Sequence, residues 1–277
     1  MFVAEGLAML ERAEGLNWQP EYLVATKPSY MFDGVKPLIV TDKLMAELSA
    51  QNNPHDVLGV FKQRFQPHAA KEGLWLALEE IRDPGNLGTI LRTADAAGAS
   101  GVILVGDCCD PYSPESVRAS TGSIFAMPLV KMSVAALADL ARGWPGAVVG
   151  TASNAKADFR SNIKSPALIV LGNESRGLSD EAMKACKTLV RIPMRKGVES
   201  LNIATAAALM LYQAAATLTY YSGGLSDTQV SPGPGSISCS PVGQLPYCGS
   251  TSPVGLLNAL PAALKISSER FGGSSSR

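Results

Sequence analysis

The chain lacks the usual nucleotide signatures. No G-x-G-x-x-G follows an apolar run and no G-x-x-x-x-G-K-[ST] occurs, which weakens a Rossmann-type dehydrogenase or a P-loop enzyme. Histidine is nearly absent. Only His55 and His68 are present, both ahead of the region with the sharpest α/β alternation, so a Ser-His-Asp device there has no histidine. The 5 cysteines are scattered without a C-x-x-C, and the adjacent Cys108 and Cys109 are poorly placed to bridge each other. That pattern predicts a reducing compartment and no structural zinc or other metal. Neither charge sign is in excess, with 24 basic and 24 acidic residues. A neutral chain does not coat polyanions indiscriminately, although a local basic face stays open. Long hydrophobic runs are missing too. The opening "MFVAEGLAMLERAEG" is interrupted by Glu5, Glu11 and Arg12, so it does not read as a cleavable leader. The longest apolar run, "NIATAAALMLYQAAATL", contains Thr205, Gln213 and Thr217 and is too short and too polar to span a membrane. A soluble, cytoplasmic protein is expected.

What is present is apolar matter in regular order. Hydrophobic residues make up 46% of 277, enough for one large domain or two smaller ones. Residues 1–66 alternate short apolar runs with helical patterns and predict a small α/β domain, followed by a polar linker at 67–73. From 74 to 221 the alternation sharpens. Strand candidates are 74–81, 101–106, 147–153, 167–172 and 188–193, with helix candidates at 87–97, 134–142, 179–186 and 202–217. Continuously apolar strands separated by helices predict a mostly parallel sheet covered by helices on both faces. From 222 to 277 the composition changes: 13 Ser, 9 Gly and 6 Pro make up half of that stretch. Such a segment buries too little apolar area to offset its ordering entropy and is expected to be disordered.

Three constellations could carry chemistry. In "IRDPGNLGTILRTADAAG", 81–98, a turn runs straight into a helical pattern. With Asn86 as N-cap, Leu87, Ile90, Leu91, Ala94 and Gly98 share one face, while Gly88, Arg92 and Ala96 form a column on the other side. Small neighbours would let a bulky group lie over the Arg92 guanidinium. The plainer alternative pairs Arg92 with Asp95 on a solvated helix. In "ALIVLGNESRGLSDE", 167–181, a buried strand enters a glycine-containing loop where parallel sheets bind ligands, and Glu174 puts a charge at its mouth. The alternative is a turn before a helix capped by Ser179. In "VRIPMRKGVESLNIATAAALMLYQ", 190–213, either Ser200 or Asn202 can cap a helix that is apolar nearly all round. Such a helix predicts a central core position or a dimer interface. Lys184, Lys187, Arg191, Arg195 and Lys196 follow one another with no acidic residue between. This run could track phosphates or be an ordinary solvated face.

In this order the three segments strongly resemble the SpoU (TrmH-like) family of RNA 2′-O-ribose methyltransferases. "NLGTILRTADAAG", "LGNESRGL" and "IPMRKGVESLNIATAAA" are similar to its three motifs, and "VRASTGSIFAMPLV" is similar to the segment between the first two. "FVAEGLAMLERA" resembles the start of the family's L30e-like RNA-binding domain, which is expected to be shortened here. The resemblance implies a trefoil-knotted α/β methyltransferase domain over 74–221, a homodimer, and S-adenosylmethionine held by strand-end loops. It implies cofactor contacts at Gly172, Ile192 and Leu201, with Leu171, Gly177, Pro193 and Met194 beside them. Asn86, Arg92, Glu174, Ser200 and Asn202 match the polar active-site positions. The implied partner is structured RNA and not DNA or a membrane: ribosomal RNA first, with the same reaction on transfer RNA, or a non-catalytic RNA-binding relative of the same fold, as the alternatives. Gly172 is expected to be small so that the cofactor can occupy the space of a side chain.

Overall fold

In a computed structural model, residues 1–32, 34–49, 51–198 and 200–216 are described. The tail expected from 222 onward lies outside them. The amino-terminal part comprises β1 (Phe2–Glu5), α1 (Leu7–Gly15), β2 (Tyr22–Ala25), β3 (Leu38–Ile39), α2 (Asp42–Leu48) and β4 (Val57–Phe61). It forms a four-stranded sheet of order β1-β4-β2-β3. β4 lies antiparallel to both β1 and β2, and β3 pairs with β2 in parallel.

The second sheet is larger. Its elements run β5 (Leu74–Glu79), α3 (Pro84–Ala96), β6 (Gly101–Val105), α4 (Pro114–Ser120), α5 (Ser123–Ala126), β7 (Leu129–Met132), α6 (Val134–Arg142) and β8 (Ala147–Thr151), continuing with β9 (Ala157–Asp158), β10 (Ala167–Leu171), α7 (Asp180–Ala185), β11 (Thr188–Arg191) and α8 (Ile203–Ala215). Seven strands pair in the order β7-β6-β5-β10-β8-β11-β9, every neighbour in parallel. Alternate residues of one strand feed opposite cores. Leu74, Leu76 and Leu78 pack with Leu87, Ile90 and Leu91 of α3 and Met210 and Leu211 of α8. Trp75 and Ala77 join Leu137 and Ala141 of α6 and Ala182 of α7. Both faces are covered, so the strands read as unbroken apolar runs. The α/β class and the mostly parallel sheet therefore stand as expected. α6 occupies the predicted 134–142. The expected 101–106, 147–153 and 188–193 strands end earlier, at Val105, Thr151 and Arg191, and each gives way to loop there. β9 spans only two residues, too short for periodicity to register.

α3 departs from its expected start. Asp83 is the N-cap, its side chain accepting from the Asn86 amide at 2.5 Å, and Pro84 fills the first helical position. Proline fits there because that N–H has no partner inside the helix. Asn86 thus lies inside the first turn with its side chain free for other work. Gly98 is not on the core face either: it follows the helix at φ +69 and is exposed, while Ala97 is buried instead.

The described residues form one compact unit. Aromatic residues are only 6% of the chain, yet five of them meet where the two sheets join. Phe2, Trp18 and Phe61 pack against Tyr112 and Phe125, with ring centroids 4.6–6.4 Å apart. Such ring pairs add about 0.5–1.5 kcal/mol each beyond burial. The Trp18 indole N–H also donates to the Phe125 carbonyl at 2.8 Å, and the Tyr112 hydroxyl donates to the Arg64 carbonyl at 2.6 Å. Among the described residues no helix is long and apolar enough to cross a membrane.

Candidate active site

Loops leaving the carboxyl ends of β8, β10 and β11 surround a cavity of about 450 Å³. That position follows the general rule for parallel sheets, and the volume lies in the range of small-molecule sites. Its walls are 151–154 from the first loop, 172–178 from the second, and Ile192, Met194, Ser200 and Leu201 from the third.

The 172–178 loop closes on itself. Asn173 and Gly177 exchange backbone hydrogen bonds of 3.1 and 2.9 Å, and Gly177 sits at φ +71, where only glycine is unstrained. The Asn173 side chain accepts from the amides of Ser175 and Arg176 and donates to the Glu80 carbonyl at 2.8 Å. The Glu80 carboxylate in turn pairs with Arg176. At the far end the buried Glu79 carboxylate accepts from the Ser179 amide at 2.9 Å and the Ser179 hydroxyl at 2.6 Å. Ser179 also caps α7. Gly172 has a different reason to be small from the one expected. A Cβ there would stand 2.1 Å from the Gly177 carbonyl carbon and 2.1 Å from the Leu178 nitrogen. The loop's own backbone fills the space, not a ligand.

Glu174 is half-buried, and its Oε1 is shut off from solvent with no hydrogen-bond partner among the described residues. An unsatisfied buried carboxylate oxygen costs at least about 1–3 kcal/mol. Burial above all, then the charges of Cys108, Glu174 and Asp83, push the Cys109 thiol up to about 12. A hydrogen bond joins α3 to α8. Asn202 caps α8 by accepting from the Ala204 and Thr205 amides at 2.8 and 3.3 Å, and its Nδ2 donates to Asn86 Oδ1 at 2.9 Å. Asn202, not Ser200, is the cap. Two separated motifs thus meet through their asparagines.

Residues 73–212 match the SpoU rRNA methylase family. An uncharacterized tRNA/rRNA methyltransferase of Synechocystis is 35% identical over 191 residues, covering 66% of this chain and 69% of that protein. The 23S rRNA (uridine(2479)-2′-O)-methyltransferase of Streptomyces viridochromogenes is 37% identical over 183 residues, 62% of this chain and 64% of its own length. The AdoMet-bound rRNA methyltransferase of Sinorhizobium meliloti superposes with a TM-score of 0.71 at 38% identity, covering 78% of this chain and 86% of that one. The chain belongs to the SpoU methylase family. That family consists of S-adenosylmethionine-dependent rRNA and tRNA methyltransferases, and this chain is an enzyme of that class.

Not every SpoU motif residue reaches the cavity. Gly172, Gly177, Glu174, Ile192, Met194, Ser200 and Leu201 line it. Leu171 is buried in the core as the last residue of β10, and Pro193 is exposed outside the lining. Arg92 lies elsewhere, on a second groove of about 400 Å³. There its guanidinium makes no ion pair or hydrogen bond among the described residues, and Asp95, its partner in the plainer alternative, pairs with Arg12. The column over Arg92 is only partly open. Gly88 is buried against α4, where a Cβ would stand 2.3 Å from the Ser116 carbonyl oxygen. Its smallness serves helix packing, not a ligand. In the basic run Lys184, Lys187, Arg191, Arg195 and Lys196 are all exposed, and the Lys187 ammonium donates to the carbonyls of Trp144 and Gly146 at 2.6 and 2.9 Å. The wall at 151–154 was not anticipated. Reading "AVVGTAS" as strand throughout hid it, although the end of a parallel strand was the available signal.

Proposed function

We propose that this protein methylates the 2′-hydroxyl of a ribose in ribosomal RNA, with S-adenosylmethionine bound in the 450 Å³ cavity. The observation that carries this reading is the cavity itself, which Gly172, Glu174, Ile192 and Leu201 line at the carboxyl ends of parallel strands, where such sheets bind ligands; a carboxylate in the wall suits a cation, and the cofactor is one. When bound, S-adenosylmethionine supplies a methyl group on a positively charged sulfur. Gly172, Ile192 and Leu201 would hold it, with the 151–154 segment closing the opposite wall. Arg92 supplies the acceptor side. A guanidinium stays protonated at any working pH and is a poor general base, so we assign it to stabilising the negative charge that develops on the ribose oxygen. The Asn86–Asn202 bond ties α3 to the start of α8 and so fixes the helix that carries Arg92 relative to the cavity.

The same reading includes three further assignments. We assign the 1–66 sheet the RNA-recognition role of an L30e-like domain, with 74–221 as the methyltransferase domain. A trefoil knot is supported by the path of the chain, which passes β11 and then returns to lay α8 on β5, β10 and α3. A homodimer is supported by exposed Met194, Val198, Leu201, Leu209 and Tyr212, half of the large hydrophobic residues that are exposed among the described residues. All five fall within 194–212, and apolar side chains left exposed together mark an interface. Transfer RNA is the second substrate reading, favoured by the name of the Synechocystis relative.

The test is transfer from methyl-labelled cofactor to purified ribosomal and transfer RNA, followed by digestion to locate the label. Arg92→Ala is expected to abolish transfer while leaving cofactor affinity within about threefold, and Arg92→Lys to remain poor because an ammonium lacks the planar fork. Methylation by Arg92→Ala at the wild-type rate refutes the role, and label on a base refutes ribose transfer.

A further inference from the structure

We propose that Arg12, on α1 of the amino-terminal sheet, is a positioning residue for Arg92: by holding Asp95 it keeps the Arg92 guanidinium unpaired. The proposal rests on the assignment of Arg92 to the acceptor side of the reaction. Asp95 stands three residues after Arg92 on α3, and residues so spaced are neighbours on a helix surface. It is therefore the default partner of Arg92, and both line the same groove. The structure takes Asp95 away from that pairing. Its Oδ2 accepts from Arg12 Nη2 at 2.5 Å and from the Ser123 hydroxyl at 2.7 Å, two donors that both come from outside α3.

The geometry that delivers Arg12 is built into the turn between α4 and α5. Thr121 and Gly122 both adopt left-handed backbone, at φ 50 and φ 89. This brings Ser123 to Asp95 and leaves Gly122 under the Arg12 stem. A Cβ at Gly122 would fall 2.9 Å from Arg12 Cδ, so the missing side chain is the channel through which Arg12 passes. The Asp95 side chain is only 22% exposed against 44% for Arg12, so the carboxylate is the more sheltered partner and is held from two sides. Two guanidinium groups and one carboxylate then share the groove. With Arg12 and Asp95 neutralising each other, Arg92 is left with an uncompensated positive charge toward RNA. The docking of the amino-terminal sheet on the catalytic half is thereby coupled to the state of the catalytic arginine.

Arg12→Met in the full chain removes the charge and keeps a stem over Gly122. An exposed helical ion pair captures its partner only modestly, so kcat is expected to fall roughly two- to fivefold, with KM for RNA unchanged. Adding Asp95→Asn to Arg12→Met should restore kcat, and Arg12→Lys should retain most of it. A second readout needs neither RNA nor turnover. The Arg92 Nε–H resonance should shift and exchange more slowly in Arg12→Met and revert in the double variant. Ser123→Ala, which leaves Arg12 in place, should move that resonance the same way by less. An unchanged Arg92 resonance in both single variants overturns the proposal, as does a raised KM with unchanged kcat, which would make Arg12 a direct RNA contact. A kcat loss that Asp95→Asn does not repair overturns it as well. If the wild type transfers no methyl to RNA, the functional reading fails by itself, and the resonance still decides whether Arg12 controls Arg92.

Discussion

Gly172→Ala places one methyl group where the loop already has backbone. The added Cβ would lie 2.1 Å from the Gly177 carbonyl carbon, 2.1 Å from the Leu178 nitrogen and 2.3 Å from the Gly177 oxygen, against ordinary contact from 3.4 Å. Backbone cannot rotate away as a side chain can, so the 177–178 segment must retreat by about 1 Å or more, and overpacking of this kind costs about 1–3 kcal/mol. Retreat also breaks the paired Asn173–Gly177 backbone bonds, each worth about 1 kcal/mol. Together these cost the closed loop about 3–5 kcal/mol, which weakens cofactor binding by roughly two to three and a half orders of magnitude. The strands beneath keep their pairing, so global stability should change far less than affinity. Titration calorimetry with S-adenosylmethionine, beside thermal unfolding, separates the two effects. Gly177→Ala is the control, because nothing lies near its added Cβ and only about 1–2 kcal/mol of left-handed strain applies. Cofactor affinity in Gly172→Ala within threefold of wild type would refute the reasoning.

Asn202→Ala should lose about 1 kcal/mol of stability with the α8 cap. Asn202→Ser should regain the cap but not methyl transfer, because its shorter side chain cannot reach Asn86; full activity in the serine variant would break the proposed link. Burial, with a smaller contribution from Glu79, pushes the Cys186 thiol up to about 12, and Cys109 reaches a similar value. Both should alkylate with iodoacetamide at pH 8 on the order of a thousandfold more slowly than an open thiol, which mass spectrometry can track. Their folded pKa values lie above the unfolded one, so their contribution to stability is complete below about pH 9 and is lost as pH rises toward 12; stability that climbs over that interval would contradict the burial. Tyr212→Glu, on the exposed face of α8, should convert a dimer into monomer by light scattering, whereas a monomeric wild type removes the dimer from the proposal.

The sequence by itself determined the class of fold and the order of the motifs. Unbroken runs such as 167–171 have no polar face to offer, and only a sheet covered on both sides accepts them. The pattern also placed α6 at 134–142, where the structure has Ser133 as its N-cap and Gly143 as its C-cap. Periodicity also put Leu87, Ile90 and Leu91 in the core. What a small residue is small for was decided only by tertiary structure. Gly88 and Gly172 both read as room for a ligand, yet one admits α4 and the other admits the loop's own backbone, since the occupant of a missing side chain's space comes from elsewhere in the chain. Pairing of charges was decided the same way. Along the helix Asp95 is the near neighbour of Arg92, but Arg12, 83 positions away, takes it, and local spacing carries no information about a donor delivered by another sheet.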